Sequence, residues 1–302
     1  MPYSYQLLGT VVSSDLELPE LIPHQGSATP EIRISEVGSV DPLKSPAFTG
    51  IRFQVAPDQL WLKVDGTAKY LVQNGSSVLI EREEGADDSD VRTFLYSTAF
   101  SALVAQRGLL GLSASVVNID GQGVGFLGLE GSGKSTVLAA LKKVGATPMA
   151  DGLCPVDTGS FEAPMVLPFS PVNRLWEDVM RHLGLDPALH SRIRTGIRKY
   201  IIPSDVPADN APLQLHHLYI LSTRYRGGSF IDSTANIEKL SALLTCTAGH
   251  QFIEGMGYSR DHFRFVTSVI HTTEIRKLYC DRSHMDLADV AATVLEDVRN
   301  GW

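Results

Sequence analysis

Val124-Gly-Phe-Leu-Gly-Leu-Glu-Gly-Ser-Gly-Lys-Ser-Thr136 is the stretch on which the rest of the chain is organised. In spacing it is Gly128, four residues, then Gly133-Lys134-Ser135, which satisfies G-x-x-x-x-G-K-[ST] at every position. Gly131 and Gly133 lack a Cβ, so the backbone can turn tightly and aim successive N–H groups into one concavity that suits a phosphate. Lys134 adds a positive charge able to reach β- and γ-phosphates, and the Ser135 hydroxyl is a Mg²⁺ ligand by type and place. The loop follows an apolar strand, Val124 to Leu127, and opens a helix whose free N–H groups favour anions. Gly128, Glu130, Gly131, Ser132, Gly133, Lys134, Ser135 and Thr136 are therefore the candidate nucleotide-binding residues. Within them Glu130 is either an exposed variable position or a group acting on Mg²⁺ from behind its ligands.

The chain has 302 residues, 43% of them hydrophobic, enough for a large core in one or two domains. A formal net charge of -8 argues against nucleic-acid binding through bulk charge. Cys154, Cys246 and Cys280 form no C-x-x-C pair, so neither a disulfide framework nor a thiolate zinc site is expected. That usage suits a reducing, cytoplasmic setting. The first residues lack the basic start of a signal peptide, and no apolar run approaches the roughly 18 residues of a membrane span.

Residues 1–88 read as a β-rich module and residues 89–302 as the domain that carries the loop. Strands are expected at Tyr5 to Val12, Glu31 to Val37, Ile51 to Val55, Leu60 to Val64, Lys69 to Val72 and Val78 to Arg82. Asp65-Gly66 and Asn74-Gly75 supply hairpin turns. This module either helps to form a partner groove or serves stability alone. The acidic run Glu83 to Asp90 supplies N-cap candidates for a helix in which Val91, Leu95, Ala99, Ala102 and Leu103 recur at helical spacing, with Gly108 as its stop. Leu112 to Ile119 and Gln122 to Leu127 form strands about Asp120-Gly121. After the loop, a helix buries Val137, Leu138, Leu141 and Val144. The next strand, Thr147 to Ala150, ends on Asp151, where ligands collect at the edge of an α/β sheet, so Asp151 is the candidate metal-binding or proton-accepting acid.

Arg107-Gly-Leu-Leu-Gly-Leu-Ser-Ala-Ser-Val-Val117, the Asp-Gly turn, the loop Gly128 to Ser135 and Ala150-Asp151 together resemble the HPr kinase/phosphorylase superfamily. Within it they are most similar to the HPr-kinase-like enzymes that phosphorylate the C-terminal residue of lasso precursor peptides. The resemblance covers about Val91 to Val156. It implies an α/β P-loop nucleotide domain of the phosphoenolpyruvate carboxykinase type, ATP with Mg²⁺ on the loop, and Asp151 and Lys134 as catalytic residues. Ser135 and Asp151 would hold the metal, and the acceptor would be a Ser on a peptide or protein. Ser113 stands where family members carry His, and Gly152 where they carry a second Asp. A lone Asp151 then has to serve both metal ligation and orientation of the acceptor hydroxyl. The signature that bifunctional members carry late in the chain is not recognisable.

Farther on, Val172 to Gly184 reads as one helix capped by Asn173, with Leu175, Val179 and Leu183 inside and Trp176 in the core. Arg192 to Lys199 is the most basic run. Arg198 or Lys199 could face transferring phosphates, and a solvated basic turn explains the run as well. Tyr200 to Ile202, Leu215 to Thr223, Phe230 to Ile231 and Ile275 to Tyr279 read as strands, and Ile237 to Leu244 and Leu287 to Val298 as helices. His216 and His217 face opposite sides of a strand and do not make a metal pair. The chain is thus expected to be a Mg-ATP-dependent kinase acting on a hydroxyl, with no nucleic-acid or membrane partner and with a homo-oligomer left open. The alternatives are a nucleotide-responsive regulatory protein and a kinase of a carrier protein or small metabolite.

Overall fold

The computed structural model of the chain describes residues 2–159, 163–170, 172–203, 211–224, 227–281 and 286–300. Its first part is a mixed sheet of β1 (Tyr3–Leu7), β2 (Thr10–Ser14), β3 (Ile22–Pro23), β4 (Ile32–Glu36), β5 (Phe48–Thr49), β6 (Phe53–Ala56), β7 (Gln59–Val64), β8 (Ala68–Gln73) and β9 (Ser77–Arg82). The strand order is β3-β1-β2-β4-β9-β8-β7-β6-β5. Every second residue of β8, namely Ala68, Tyr70 and Val72, is buried, and β9 buries Val78 and Ile80 in the same period. That alternation is what a sheet covered on one face requires. Asn74 and Gly75 both take positive φ, which matches the twist of the strands they join.

Two expected strands differ in the structure. Tyr5 to Val12 is not one strand but a hairpin, because Leu8 and Gly9 both have positive φ (54° and 74°) and Leu7 pairs with Thr10. Leucine is uncommon at that geometry. Here its side chain is 7% exposed and packs into the core, which offsets the backbone strain. The strand expected from Ile51 begins at Phe53 instead and leaves Ile51 exposed.

Asp87 caps the next helix by accepting from Ser89 N at 2.8 Å. α1 (Asp88–Phe94) continues through a π-helical turn, Leu95–Ala99, into α2 (Phe100–Gln106). Val91, Leu95, Ala99, Ala102 and Leu103 are all buried, as their spacing requires. Tyr70 Oη donates to Val91 O (2.9 Å) and Gln106 Nε2 to Val72 O (3.2 Å), so this helical segment is tied to the first sheet. One apolar core runs from that sheet through the helical segment to the second sheet.

The second sheet contains β10 (Leu110–Ile119), β11 (Gln122–Leu127), β12 (Thr147–Asp157), β13 (Met165–Val166), β16 (Leu213–Arg224), β17 (Phe230–Asp232) and β18 (Glu274–Asp281). Its order is β11-β10-β12-β13-β16-β18-β17. Because β11 also pairs with β16, in parallel, the strands from β11 to β16 close on one another and β18 and β17 extend outward. β14 (Asn173–Trp176) and β15 (Lys199–Ile202) make a separate antiparallel pair. α3 (Lys134–Lys143) leaves the phosphate loop, and α4 (Glu177–His182) follows β14. Later come α5 (Asn236–Thr245), α6 (His250–Ile253), α7 (Ser259–Thr272) and α8 (Leu287–Asn300). Val137, Leu138 and Leu141 of α3 share a second apolar cluster with Val290, Val294 and Val298 of α8. Fully burying each such side chain contributes about 1.5–3 kcal/mol. Val144, expected on this buried face, is 51% exposed, since the helix has ended and Gly145 takes φ 97°.

Three further corrections bear on the site. Asp151 does not end its strand, because β12 runs on to Asp157 with Gly152 at φ 96° inside it. Residues Val172 to Gly184 do not form one helix: Asn173 to Trp176 is a strand, and the helix starts only at Glu177. Trp176 is not in the core, being 41% exposed. Among the described residues, no helix is long and apolar enough to cross a membrane.

Candidate functional site

β11 delivers the chain to Gly128, and the loop turns on Gly131 and Gly133, with φ 82° and 99°. Both angles are strained for residues with a Cβ. A Cβ at Gly128 would lie 2.4 Å from Ser132 Oγ, so the close approach of the loop to itself also requires glycine there. Gly133 is the N-cap of α3, and the helix begins at Lys134. Lys134 is 8% exposed and donates from Nζ to the carbonyls of Gly128 (2.7 Å) and Leu129 (2.9 Å). Burial pulls its ammonium below the usual lysine range, partly opposed by the charge of Asp151. Ser113, on β10, donates to the Gly128 carbonyl at 3.2 Å and so braces the start of the loop.

Asp151 is the hub of the site. It is 2% exposed, and its Oδ1 accepts from Ser115 Oγ (2.5 Å) and Ser135 Oγ (2.8 Å). Its Oδ2 accepts from Asn173 Nδ2 (3.0 Å) and from the backbone N of Arg174 (2.8 Å). Four donors match the roughly four lone-pair sites of a carboxylate, so the buried anion is fully hydrogen-bonded. Asn173 Nδ2 also donates to Ser135 O (3.1 Å), and Arg174 Nη1 to Asp151 O (2.8 Å). The first turn of α3, the middle of β12 and the start of β14 are thereby joined through one carboxylate.

Around this hub lies a cleft of about 900 Å³. It is lined by Glu130 to Thr136, Asp151 and Gly152 and by Arg174, Trp176 and Lys199 of the β14–β15 pair. Glu20, Thr93, Tyr96, Ser97 and Ser101 also line it, four of them from the helical segment that contains the π-turn. Glu20 is buried and pairs with Arg92 (3.3 Å). The Arg174 guanidinium lies 5.7 Å from the centre of the Tyr96 ring, and burial holds the Tyr96 hydroxyl well above its ordinary pKa.

The structure brings Lys134, Ser135 and Asp151 together as the sequence suggests, and it separates the two basic candidates. Lys199 lines the cleft. The Arg198 side chain is 76% exposed, stands 3.8 Å from Glu177 and is not on the cleft wall. Arg192 and Arg194 lie over the rings of Tyr200 and Phe94. Glu130 is an exposed residue at the cleft. Ser115, Asn173 and Arg174 are missed by sequence reasoning. The alternation of Ser113 and Ser115 in an otherwise apolar strand was a usable signal, whereas the role of Asn173 depends on a strand that its sequence disguises as a helix.

The residues fit a Mg-nucleotide. The loop supplies positive-φ glycines and a lysine at a helix N-terminus, and Ser132 Oγ is buried within it without a hydrogen-bond partner. Among the described residues no cluster of three or more His, Cys, Asp or Glu side chains makes a protein-only cage. A divalent ion here would therefore take the Ser135 hydroxyl, oriented by Asp151, together with the oxygens of its nucleotide, as Mg²⁺ ordinarily does. Burial pushes the Cys154 thiol up to about 12 and the Cys280 thiol up to about 11, so neither offers a thiolate to a metal. No family model matches the chain, and no curated protein matches it.

Proposed function

We propose that the chain is a Mg-ATP-dependent kinase that transfers the γ-phosphoryl group to a hydroxyl, with a seryl hydroxyl of a peptide as the acceptor. The observation that carries this reading is the 2.8 Å hydrogen bond from Ser135 Oγ to Asp151, in which the loop hydroxyl is oriented by a buried carboxylate. In phosphate-loop enzymes, the hydroxyl at this position and a nearby Asp hold Mg²⁺. When bound, the ion neutralises charge on the β- and γ-phosphate oxygens. Ser135 keeps its proton toward Asp151 and turns a lone pair to the cleft. Lys134, held by the loop carbonyls, would turn to the phosphate oxygens of a bound nucleotide, and Lys199 lines the same cleft. The cleft, about 900 Å³ and lined also by Glu20, Tyr96 and Ser97, has room for an acceptor besides the phosphates.

The expected double duty of Asp151 meets an obstacle, because all four of its lone-pair positions already hold donors. Holding the metal through Ser135 fits that arrangement, whereas accepting the proton of the acceptor requires one donor to leave. This saturation favours a second reading, a nucleotide-responsive protein without transfer. One experiment separates the two. Wild type and Asp151→Asn are incubated with Mg-ATP and serine-containing peptides, and products are read by mass. Phosphopeptide with wild type and none with the variant supports the kinase; no product at all, with nucleotide still raising the melting temperature, supports the sensor.

A further inference from the structure

One face of the β14–β15 pair turns toward the cleft. It carries Arg174 and Trp176 on one strand and, directly across from them, Ile201 and Lys199 on the other. Alternation explains the sorting: Asn173 and Leu175 are buried, Asn173 against Asp151, while Arg174 and Trp176 share the other face. The two ends of this face differ. Arg174 is tied to Asp151 O, and its guanidinium lies over the Tyr96 ring. Trp176 lies two residues farther along, roughly 6–7 Å from Arg174 by strand geometry. It sits beside Asp178 and Val179 on the cleft wall.

A large indole on such a wall calls for a reason. Trp176 is 41% exposed, and Lys199 Nζ lies 5.7 Å from the ring centre, so one side is partly covered and ring surface remains open. The strand that carries it is fastened to the first turn of α3 by the bond from Asn173 to Ser135 O. In a phosphate loop the backbone cradles the α- and β-phosphates, while the lysine reaches toward β and γ. Of the four aromatic side chains among the described residues that line the cleft with this loop, Tyr96, Phe169 and Phe252 are buried and Trp176 is the exposed one.

We propose that Trp176 is the stacking platform for the nucleobase of the bound nucleoside triphosphate, with Lys199 steadying the indole from its covered side. The assignment rests on the nucleotide reading above and adds to it the subsite that distinguishes a nucleotide from a bare polyphosphate. Bases stack on aromatic rings through their π-faces, with little dependence on which base is present.

The test is calorimetric titration of wild type, Trp176→Ala and Trp176→Phe with Mg-ATP and, separately, with Mg-tripolyphosphate, each protein checked by thermal melting. The alanine variant is expected to bind ATP about tenfold to a hundredfold more weakly, while its affinity for tripolyphosphate stays at the wild-type value. The phenylalanine variant should recover most of the loss. Equal ATP affinity in wild type and Trp176→Ala overturns the platform, and so does an equal loss for ATP and tripolyphosphate in a folded variant. If wild type binds neither ligand, the phosphate-loop reading fails and the platform falls with it.

Discussion

At the scale of the residue, the site turns on one buried anion and the glycine after it. Asp151→Asn keeps the volume of the side chain, and its new NH₂ can face Ser115 and Ser135, whose hydroxyls can rotate to accept. The stability cost should be small, about 1 kcal/mol, whereas metal affinity should fall about 10- to 100-fold. Melting and Mg²⁺ titration on the same sample check both; a large melting loss with unchanged Mg²⁺ affinity would make Asp151 purely structural. Gly152 answers a different question. Its φ of 96° lies in the left-handed half of the map, and the nearest atom to an added Cβ is Arg174 Nη1, 4.0 Å away. Space is available, but the backbone disfavours any side chain, by roughly 1–2 kcal/mol. Gly152→Asp should therefore lose stability to the same extent as Gly152→Ala, without strengthening Mg²⁺ dependence, because its carboxylate would meet the Arg174 guanidinium. A tighter Mg²⁺ requirement in the Asp variant alone would contradict this. The glycine that replaces an expected acid is thus a backbone requirement of β12, a fact no residue name discloses.

At the scale of the element, β14 couples the loop to the acid. Asn173→Ala removes the bonds to Asp151 and Ser135 O and should cost about 1–3 kcal/mol. Asn173→Asp should cost more near pH 8, since it sets a second carboxylate against Asp151, and should recover as the pH falls and one of the pair takes a proton. Melting curves of the three proteins from pH 8 to pH 5 test the order; an Asp variant as stable as wild type at pH 8 would break it. The same element shows where the sequence is legible. The phosphate loop, the strand before it and the helix after it could be read because the motif fixes φ, charge and periodicity within a few residues. Asn173 to Trp176 could not, since an amphipathic pattern and a capping residue imitate a helix start, and only pairing with Lys199 to Ile202 makes it a strand. Leu8-Gly9 hid a hairpin for a similar reason, as its leucine is held at positive φ by burial rather than by local preference.

At the scale of the molecule, the first sheet and the helical segment complete the cleft, so Glu20 comes within reach of a loop more than 100 residues away in sequence, and Tyr96 of the same loop more than 30 residues away. Such meetings depend on the shared core and are invisible to local patterns. Burial also sets the acid response. His217 and His262 both have pKa values lowered from the ordinary 6.5, chiefly by desolvation, so they stay neutral in the fold while the unfolded chain takes up protons. Their contribution is complete above pH 6.5 and declines as the pH falls toward their folded values. Replacing both by Asn should flatten the loss of melting temperature between pH 7 and 5; an unchanged slope would assign it to other groups. The central claim is that the loop at Gly128 to Ser135 holds a Mg-nucleotide. Its most direct test is calorimetric titration of Mg-ATP into wild type and into Lys134→Met, with melting curves to show that both are folded. Saturable binding by wild type and at least a tenfold weaker affinity in the variant is the predicted result. Equal affinity in the two folded proteins, or no binding by wild type, would contradict it.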